Sequence, residues 1–416
     1  MEGPERWIVC FGWHGERVSN SMSPLFEDLP HSDSSPSRFL EGTYRFLNRV
    51  SSDYWQQVRG VIEDWLGQVP AQHRPDLRER LASGADSQFN AAYLELYLHE
   101  MLRRSGYEVM IHPDTGTSRR PDFLVRSGDQ DFYLEARHIV EHSDAKSARL
   151  RRQDALYDAL QGMDSPNFFL WVDVREIGPH DVSKRLLVRK LEAWVAALNP
   201  DGEEAALSAA GTLDVLKEVI WRDQGWEVSF RAIAKSQEAR GMPGIRPLGI
   251  FGGIDVGVID GVTPLKRALL DKASAYGDLG APFVIALGVG WFAGRDDFDI
   301  TGALFGSSQL TIQPGMEPRS TRAPNGLWFG GDKWLRGQVT GVLHVTNLHP
   351  AFFARADPTL WLHPQPLHSL NPPAAWAAMR PNDSGDIDRE PARVSSQELF
   401  GLPDPWPVRD AFPDEP

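Results

Sequence analysis

The chain has one cysteine, Cys10, among its 416 residues, so no disulfide can form within it, and a reducing compartment is the expected setting. The most apolar run, Ala281 to Ala293, is shorter than the roughly 20 residues that a helix needs to cross a bilayer. The first residues also lack a basic stretch followed by an apolar one, which is the pattern of a signal peptide. We therefore expect a cytoplasmic protein without a membrane partner.

Positive charge is also scarce: 43 Lys and Arg face 57 Asp and Glu, for a net charge of −14. Bulk electrostatics therefore do not favour nucleic acid, and any such binding needs a local basic patch. The sequence contains no HExxH motif, no phosphate-binding loop ending in Lys-Ser/Thr and no Gly-x-Ser-x-Gly elbow. These absences argue against the zinc peptidases, the P-loop nucleotide hydrolases and the α/β-hydrolases.

The most informative segment is residues 119–139, where two short apolar runs each carry a carboxylate. Asp122 directly precedes the predicted strand Phe123–Val125, and Glu135 lies inside the predicted strand Phe132–Ala136. Residues 127–130 form a polar turn, so the strands should pair antiparallel and bring both carboxylates to one cleft. Carboxylate oxygens are ligands for a hard divalent cation, and such an ion can activate water against a phosphodiester.

Three arginines accompany these carboxylates. Arg137 lies two residues after Glu135 and should project from the same strand face, beside either the metal-bound water or the scissile phosphate. Arg119 and Arg120 directly precede Pro121 and Asp122, at the expected mouth of the cleft, where a phosphate backbone would pass.

A further acid precedes these strands. Helical spacing predicts a helix from Asn90 to Ser105, followed by a strand at 107–111. Glu95 lies on this helix between apolar residues, so it faces either inward, toward the site, or outward, as an ordinary solvated acid.

This series of a helix with Glu, a strand, Pro-Asp and an apolar strand ending in Glu-x-basic resembles the PD-(D/E)xK nuclease superfamily. The resemblance covers Gln88 to His138 and resumes loosely at 264–288. It implies an α/β fold, in which a restriction-endonuclease-like mixed sheet is flanked by helices. It also implies that Asp122 and Glu135 bind Mg²⁺ or Mn²⁺ with Glu95 assisting, and that nucleic acid, most simply DNA, is the substrate.

Arg137 departs from the superfamily pattern, which has Lys at this position. Arginine stays protonated, so it can hold a phosphate but cannot act as a base at neutral pH. Three alternatives remain: metal-activated water with electrostatic help, a lysine from elsewhere, or a catalytically silent protein that binds nucleic acid or a protein partner.

Lys272 is a candidate for the missing lysine. Lys272 and Tyr276 share one face of a helix predicted at 264–276, before the strand predicted at 283–287. They resemble the Gln-x-x-x-Tyr pattern of RecB-like nucleases, but a surface lysine over a packed tyrosine is a slightly simpler interpretation. The predicted helix at 145–161 competes for the place against the catalytic strands, and the sequence leaves this choice open.

The remaining regions give coarser predictions. We divide the chain into an N-terminal helical and loop extension (1–85), a nuclease-like core (86–290) with a large insertion (about 140–262), a β-rich segment (291–371) and a Pro-rich tail (372–416) that is extended or disordered. Basic helix faces at 146–152 and 184–190 are either phosphate contacts or solvated surface. A protein partner or a homo-oligomer is compatible with the sequence.

Overall fold

A computed structural model describes residues 24–27, 33–116, 119–128, 130–139, 144–242, 247–252, 262–289, 297–311, 319–382 and 387–412. Within this part of the chain the α-helices are α1 (Thr43–Arg49), α2 (Asp53–Gln68), α3 (Arg74–Leu81), α4 (Asp86–Arg104), α5 (Asp144–Gln161), α6 (Lys184–Ala196), α7 (Pro200–Ala210), α8 (Val262–Ala273), α9 (Asp297–Phe305) and α10 (Ser396–Phe400). The strands are β1 (Glu108–Ile111), β2 (Phe123–Arg126), β3 (Phe132–His138), β4 (Phe168–Glu176), β5 (Glu218–Asp223), β6 (Trp226–Ala234), β7 (Leu248–Gly252), β8 (Phe283–Gly288), β9 (Ser308–Thr311), β10 (Arg319–Arg322), β11 (Gly341–Val345), β12 (Thr359–Leu362), β13 (Ala377–Pro381) and β14 (Ile387–Glu390).

Eight strands form the main sheet, in the order β1-β2-β3-β8-β11-β12-β13-β14. β1, β2 and β3 pair antiparallel, whereas β3, β8 and β11 run parallel. β12 is antiparallel to β11 and parallel to β13, and β14 is antiparallel to β13. The sheet is therefore mixed, as predicted.

Both faces of this sheet are covered, because side chains alternate along each strand. On β8, Val284 and Ala286 join a core that includes buried residues of α2 and α4. Ile285 and its neighbours on the same face join a second core with buried residues of α8 and α9. The helix α4 presses closely on the first face: a Cβ on Gly288 would lie 3.0 Å from Leu94. The protein is thus a mixed α/β structure whose eight-stranded sheet is flanked by helices.

A second sheet lies in the chain between β3 and α8. Its strands follow the order β5-β6-β4-β7, and buried side chains of β4, β6, α5 and α6 form a separate core. Because α5 contacts α6 and β7 of this second sheet, it is α8, and not the helix predicted at 145–161, that packs against the strands carrying Asp122 and Glu135.

The C-terminal segment corrects the prediction of an extended or disordered tail from residue 372. Its described residues add β13 and β14 to the main sheet. Trp376, Phe400 and Trp406 are buried in the core shared with α2 and α4. The expectation followed the Pro and Asp content, but these three aromatic side chains remove a large apolar area from water. Between β10 and β11, Phe329 and Trp334 form an isolated bridge.

No helix in the described part of the chain is both long and apolar enough to cross a bilayer.

The buried tail makes a test of stability possible. Replacing Trp376, which is 3% exposed and packs edge-on against Phe132, with Ala should lower the free energy of unfolding by about 3–5 kcal/mol. Guanidinium denaturation measures this change, and Leu367→Ala, at a residue 62% exposed, is the control. Equal stability of the two variants would contradict a structural role for the tail.

Candidate functional site: two carboxylates and a lysine

The pairing of β2 with β3 brings the two predicted carboxylates together. Phe123 lies opposite Leu134 in this antiparallel register, so Asp122 and Glu135 are the next facing pair. The Asp122 backbone N–H donates to Glu135 Oε2 at 3.3 Å, and Asp122 Oδ2 accepts from the Ala136 N–H at 2.7 Å. Glu135 is only 4% exposed, so a carboxylate is buried in the middle of the sheet.

Lys272 and Tyr276 complete this arrangement from α8 and the turn that follows it. The helix ends at Ala273, three residues before the predicted end, and a turn closed by the Ala275 N–H and the Lys272 carbonyl carries the chain to Tyr276. Lys272 Nζ forms an ion pair with Glu135 Oε1. The Tyr276 hydroxyl lies 3.0 Å from Glu135 Oε2 and 2.9 Å from the Arg120 carbonyl oxygen. Because the hydroxyl has one proton, it serves one of these acceptors at a time.

The pKa values in the site follow from the burial of Asp122 and Glu135 next to each other. Burial raises the pKa of Asp122 to about 8, and repulsion by Glu135 and Glu95 adds to this, while the Ala136 N–H and Lys272 act in the opposite direction. Burial and the charge of Glu135 also raise the pKa of Tyr276. A like-charged pair of this kind favours whatever cation can approach it.

Glu95 lies on α4 and is bound to Arg80. Arg80 donates to both of its carboxylate oxygens, at 2.7 and 2.6 Å. Glu95 is half-buried and close enough to raise the pKa of Asp122. It therefore adds negative charge near the site, while its own oxygens are occupied by Arg80.

The three predicted arginines lie on the surface. Arg119 and Arg120 are exposed just before Pro121, and the charge of Arg119 lowers the pKa of Tyr276, although burial and Glu135 raise it more. Arg137 is exposed on β3. Arg137 donates no hydrogen bond to Asp122 or Glu135 in the described structure. The cation that contacts Glu135 is Lys272.

Sequence reasoning missed His112. It follows β1 directly and lies opposite Asp122, whose carbonyl accepts its N–H at 2.9 Å. Its Nε2 lies 3.8 Å from Asp122 Oδ1. The usable signal was the His-Pro pair at the end of β1, since antiparallel pairing of β1 with β2 brings that position to Asp122.

The donor set fits a hard divalent cation. Mg²⁺ keeps several waters and is commonly held by one or two carboxylates together with substrate phosphate, and Asp122 and Glu135 supply two such carboxylates side by side. Within the described ranges, no group of three or more His, Cys, Asp and Glu side chains is arranged to hold a metal by itself. Asp122 and Glu135 would share such an ion with water and substrate.

Comparison with models of protein families, with curated proteins and with solved structures gives no match for this chain.

The buried acid pair makes metal-free stability depend on pH. The folded protein keeps the Asp122 proton up to its raised pKa of about 8, whereas an unfolded Asp loses it near about 3.9. Between these values the folded state binds more protons, so stability falls as pH rises. Asp122→Asn keeps an acceptor for the Ala136 N–H and removes the charge. In chelator it should raise the melting temperature by about 2 °C at pH 8 and by less at pH 5.

Asp332→Asn, at an exposed residue, is the control for this measurement. A gain of equal size at both pH values would show that Asp122 is not held protonated by its surroundings.

Proposed function

We propose that this protein is a metal-dependent nuclease with a restriction-endonuclease-like core, which hydrolyses phosphodiester bonds in DNA. The single observation that carries the proposal is the meeting of Asp122, Glu135 and Lys272 at one point, from β2, β3 and α8. The chain order also supports it: α4, β1, β2 and β3 come first, and α8 and β8 follow after the inserted second sheet. Apart from this insertion, it is the order of helix, three strands, helix and strand that the resemblance implies.

Each side chain has a role in this proposal. Asp122 and Glu135 hold Mg²⁺ or Mn²⁺, which when bound lowers the pKa of water and neutralises charge on the phosphate. Lys272 places a cation beside Glu135 and orients the attacking water. Tyr276 fixes the second oxygen of Glu135. As the water oxygen bonds to phosphorus, the bond to the leaving oxygen breaks. The attacking water loses one proton to solvent, and the leaving oxygen takes up one proton from solvent.

Lys272, rather than Arg137, takes the place of the motif lysine. An ammonium group is a compact charge on a flexible stem, so it can lie beside a buried carboxylate and hold a water or a phosphate oxygen there. Lys272 is bound to the buried Glu135, whereas Arg137 is exposed on the strand. This assignment removes the main objection that the Glu-x-Arg sequence raises against an active site.

The first test is cleavage of single- and double-stranded DNA and RNA with Mg²⁺, with Mn²⁺ and with chelator. Asp122→Ala and Glu135→Ala should each lower the rate by at least about 10³-fold, because several kcal/mol of charge stabilisation is lost with the ion. Asp332→Ala is the matched surface control. Circular dichroism and melting curves establish that the variants fold.

Cleavage that persists in both variants would refute this site. No cleavage by the wild type on any substrate would favour instead a silent protein that uses the fold to bind nucleic acid or a protein partner.

The lysine assignment has its own test. Lys272→Met should lower the cleavage rate by about 10²-fold or more, the size of effect expected for a lost catalytic group. Arg137→Met should change it by only a few-fold, mainly through phosphate binding. Single-turnover kinetics with saturating enzyme separate the two effects. The reverse ranking would return the role to Arg137.

A further inference from the structure

A cleft of about 290 Å³ adjoins the carboxylate pair on the side of α4 and β1. Its lining residues are Val69, Gln72, His73, Asp76, Leu77, Arg80, Glu95, His99, Ile111, His112 and Phe123. His112 joins the two regions, because it lines the cleft and its Nε2 lies 3.8 Å from Asp122 Oδ1. A group bound in the cleft would therefore lie next to a group held at Asp122 and Glu135.

The charged groups of the cleft are already paired with each other. Arg80 donates to both oxygens of Glu95 and to Asp76 Oδ2, the last at 3.0 Å. One cation thus faces two anions, so the cleft has a slight negative balance. A phosphate would be repelled here, and an uncharged group would not.

The remaining polar groups of the cleft include one without a hydrogen-bond partner. His99 is 4% exposed, and its buried Nδ1 makes no hydrogen bond to any described residue. Burial lowers the pKa of His99 to about 4, so the ring is uncharged at neutral pH. A buried polar nitrogen without a partner costs free energy, and His99 belongs to the lining of the cleft.

The lining of the cleft combines two rings with apolar surface. The rings of His73 and His112 meet edge to face with centroids 5.7 Å apart, while Leu77, Ile111 and Phe123 add apolar surface. A volume of this size is at the lower end of small-molecule sites, which start at about 300 Å³. The cleft suits a single heteroaromatic ring system better than a whole nucleotide.

The backbone at His112 is also held in a costly conformation. Its φ is 48°, in the left-handed region that non-glycine residues avoid. Pro113 follows, and a residue before proline normally favours extended backbone. Such outliers concentrate at functional sites, and this one determines where the imidazole of His112 lies between the cleft and Asp122.

We propose that this cleft binds one unpaired nucleobase of the strand whose phosphodiester lies at Asp122 and Glu135. Imidazole rings stack on bases, and His and Gln side chains can form hydrogen bonds with base edges. The substrate is then single-stranded, a frayed strand end or a duplex with a base turned out. The inference rests on the proposed nuclease function, and it specifies the substrate class.

The binding test uses the full chain in chelator, where no cutting occurs. Fluorescence anisotropy compares a single-stranded DNA oligomer with an all-abasic oligomer of equal length and charge. The wild type should bind the strand with bases about 10-fold more tightly, as expected when a base stacks on a ring. His73→Ala, at a half-exposed residue, should bring this ratio close to one without weakening the abasic complex.

His99→Leu should lower the same ratio, provided that its melting curve shows a folded protein. His180→Ala, at an exposed histidine near the second sheet, is the control and should preserve the ratio. Equal binding of both oligomers by the wild type, or no binding of either, would overturn the inference. An equal loss of affinity for both oligomers in His73→Ala would overturn it as well.

A cleavage arm with Mg²⁺ separates this inference from the function on which it rests. Cutting should be mapped on a duplex with one unpaired nucleotide and on the fully paired duplex. Cutting without preference for the unpaired position would leave the nuclease standing and overturn the base-binding cleft. If binding depends on the bases and on His73 but no substrate is cut, the base-binding cleft stands and the nuclease function is refuted.

Discussion

The register between β2 and β3 determines what the neighbouring elements must supply. It places Asp122 beside Glu135 in a poorly solvated part of the sheet, where two negative charges raise each other's energy. The neighbouring elements supply one ammonium group, that of Lys272, which lies 137 residues after Glu135, and the hydroxyl of Tyr276. One cation against two carboxylates leaves the site short of positive charge, which is the condition that a divalent ion or a protonated Asp122 relieves.

The local parts of this site could be predicted from the sequence. Alternation and the polar turn at 127–130 gave β2 and β3, and their antiparallel pairing gave the meeting of Asp122 and Glu135. Helical spacing gave α4 and α8 to within a few residues of their ends. These features depend on neighbours close in sequence, so periodicity carries the necessary information.

Features that depend on distant partners could not be predicted in the same way. The sequence offered two helices for one place, and only tertiary packing decides that α8 rather than α5 reaches Glu135. The bidentate pairing of Glu95 with Arg80 of α3 depends on how α3 packs against α4. The tail was misjudged because short strands beside Pro and Asp residues resemble loop, although Trp376 and Trp406 carried a contrary signal.

The parallel pairing of β3 with β8 explains how the site tolerates a large insertion. Parallel neighbours need a crossover, and α8 makes the return, so that its last turn lies where β3 and β8 begin. The segment that contains the second sheet ends before Val262, the first residue of α8. Val262 lies about 15 Å from Lys272 along the helix at the usual rise per residue. Loop-closure entropy grows only slowly with length. The position of Lys272 is therefore set by the packing of α8 on the main sheet, and the segment between β3 and α8 can change without moving the ammonium group away from Glu135.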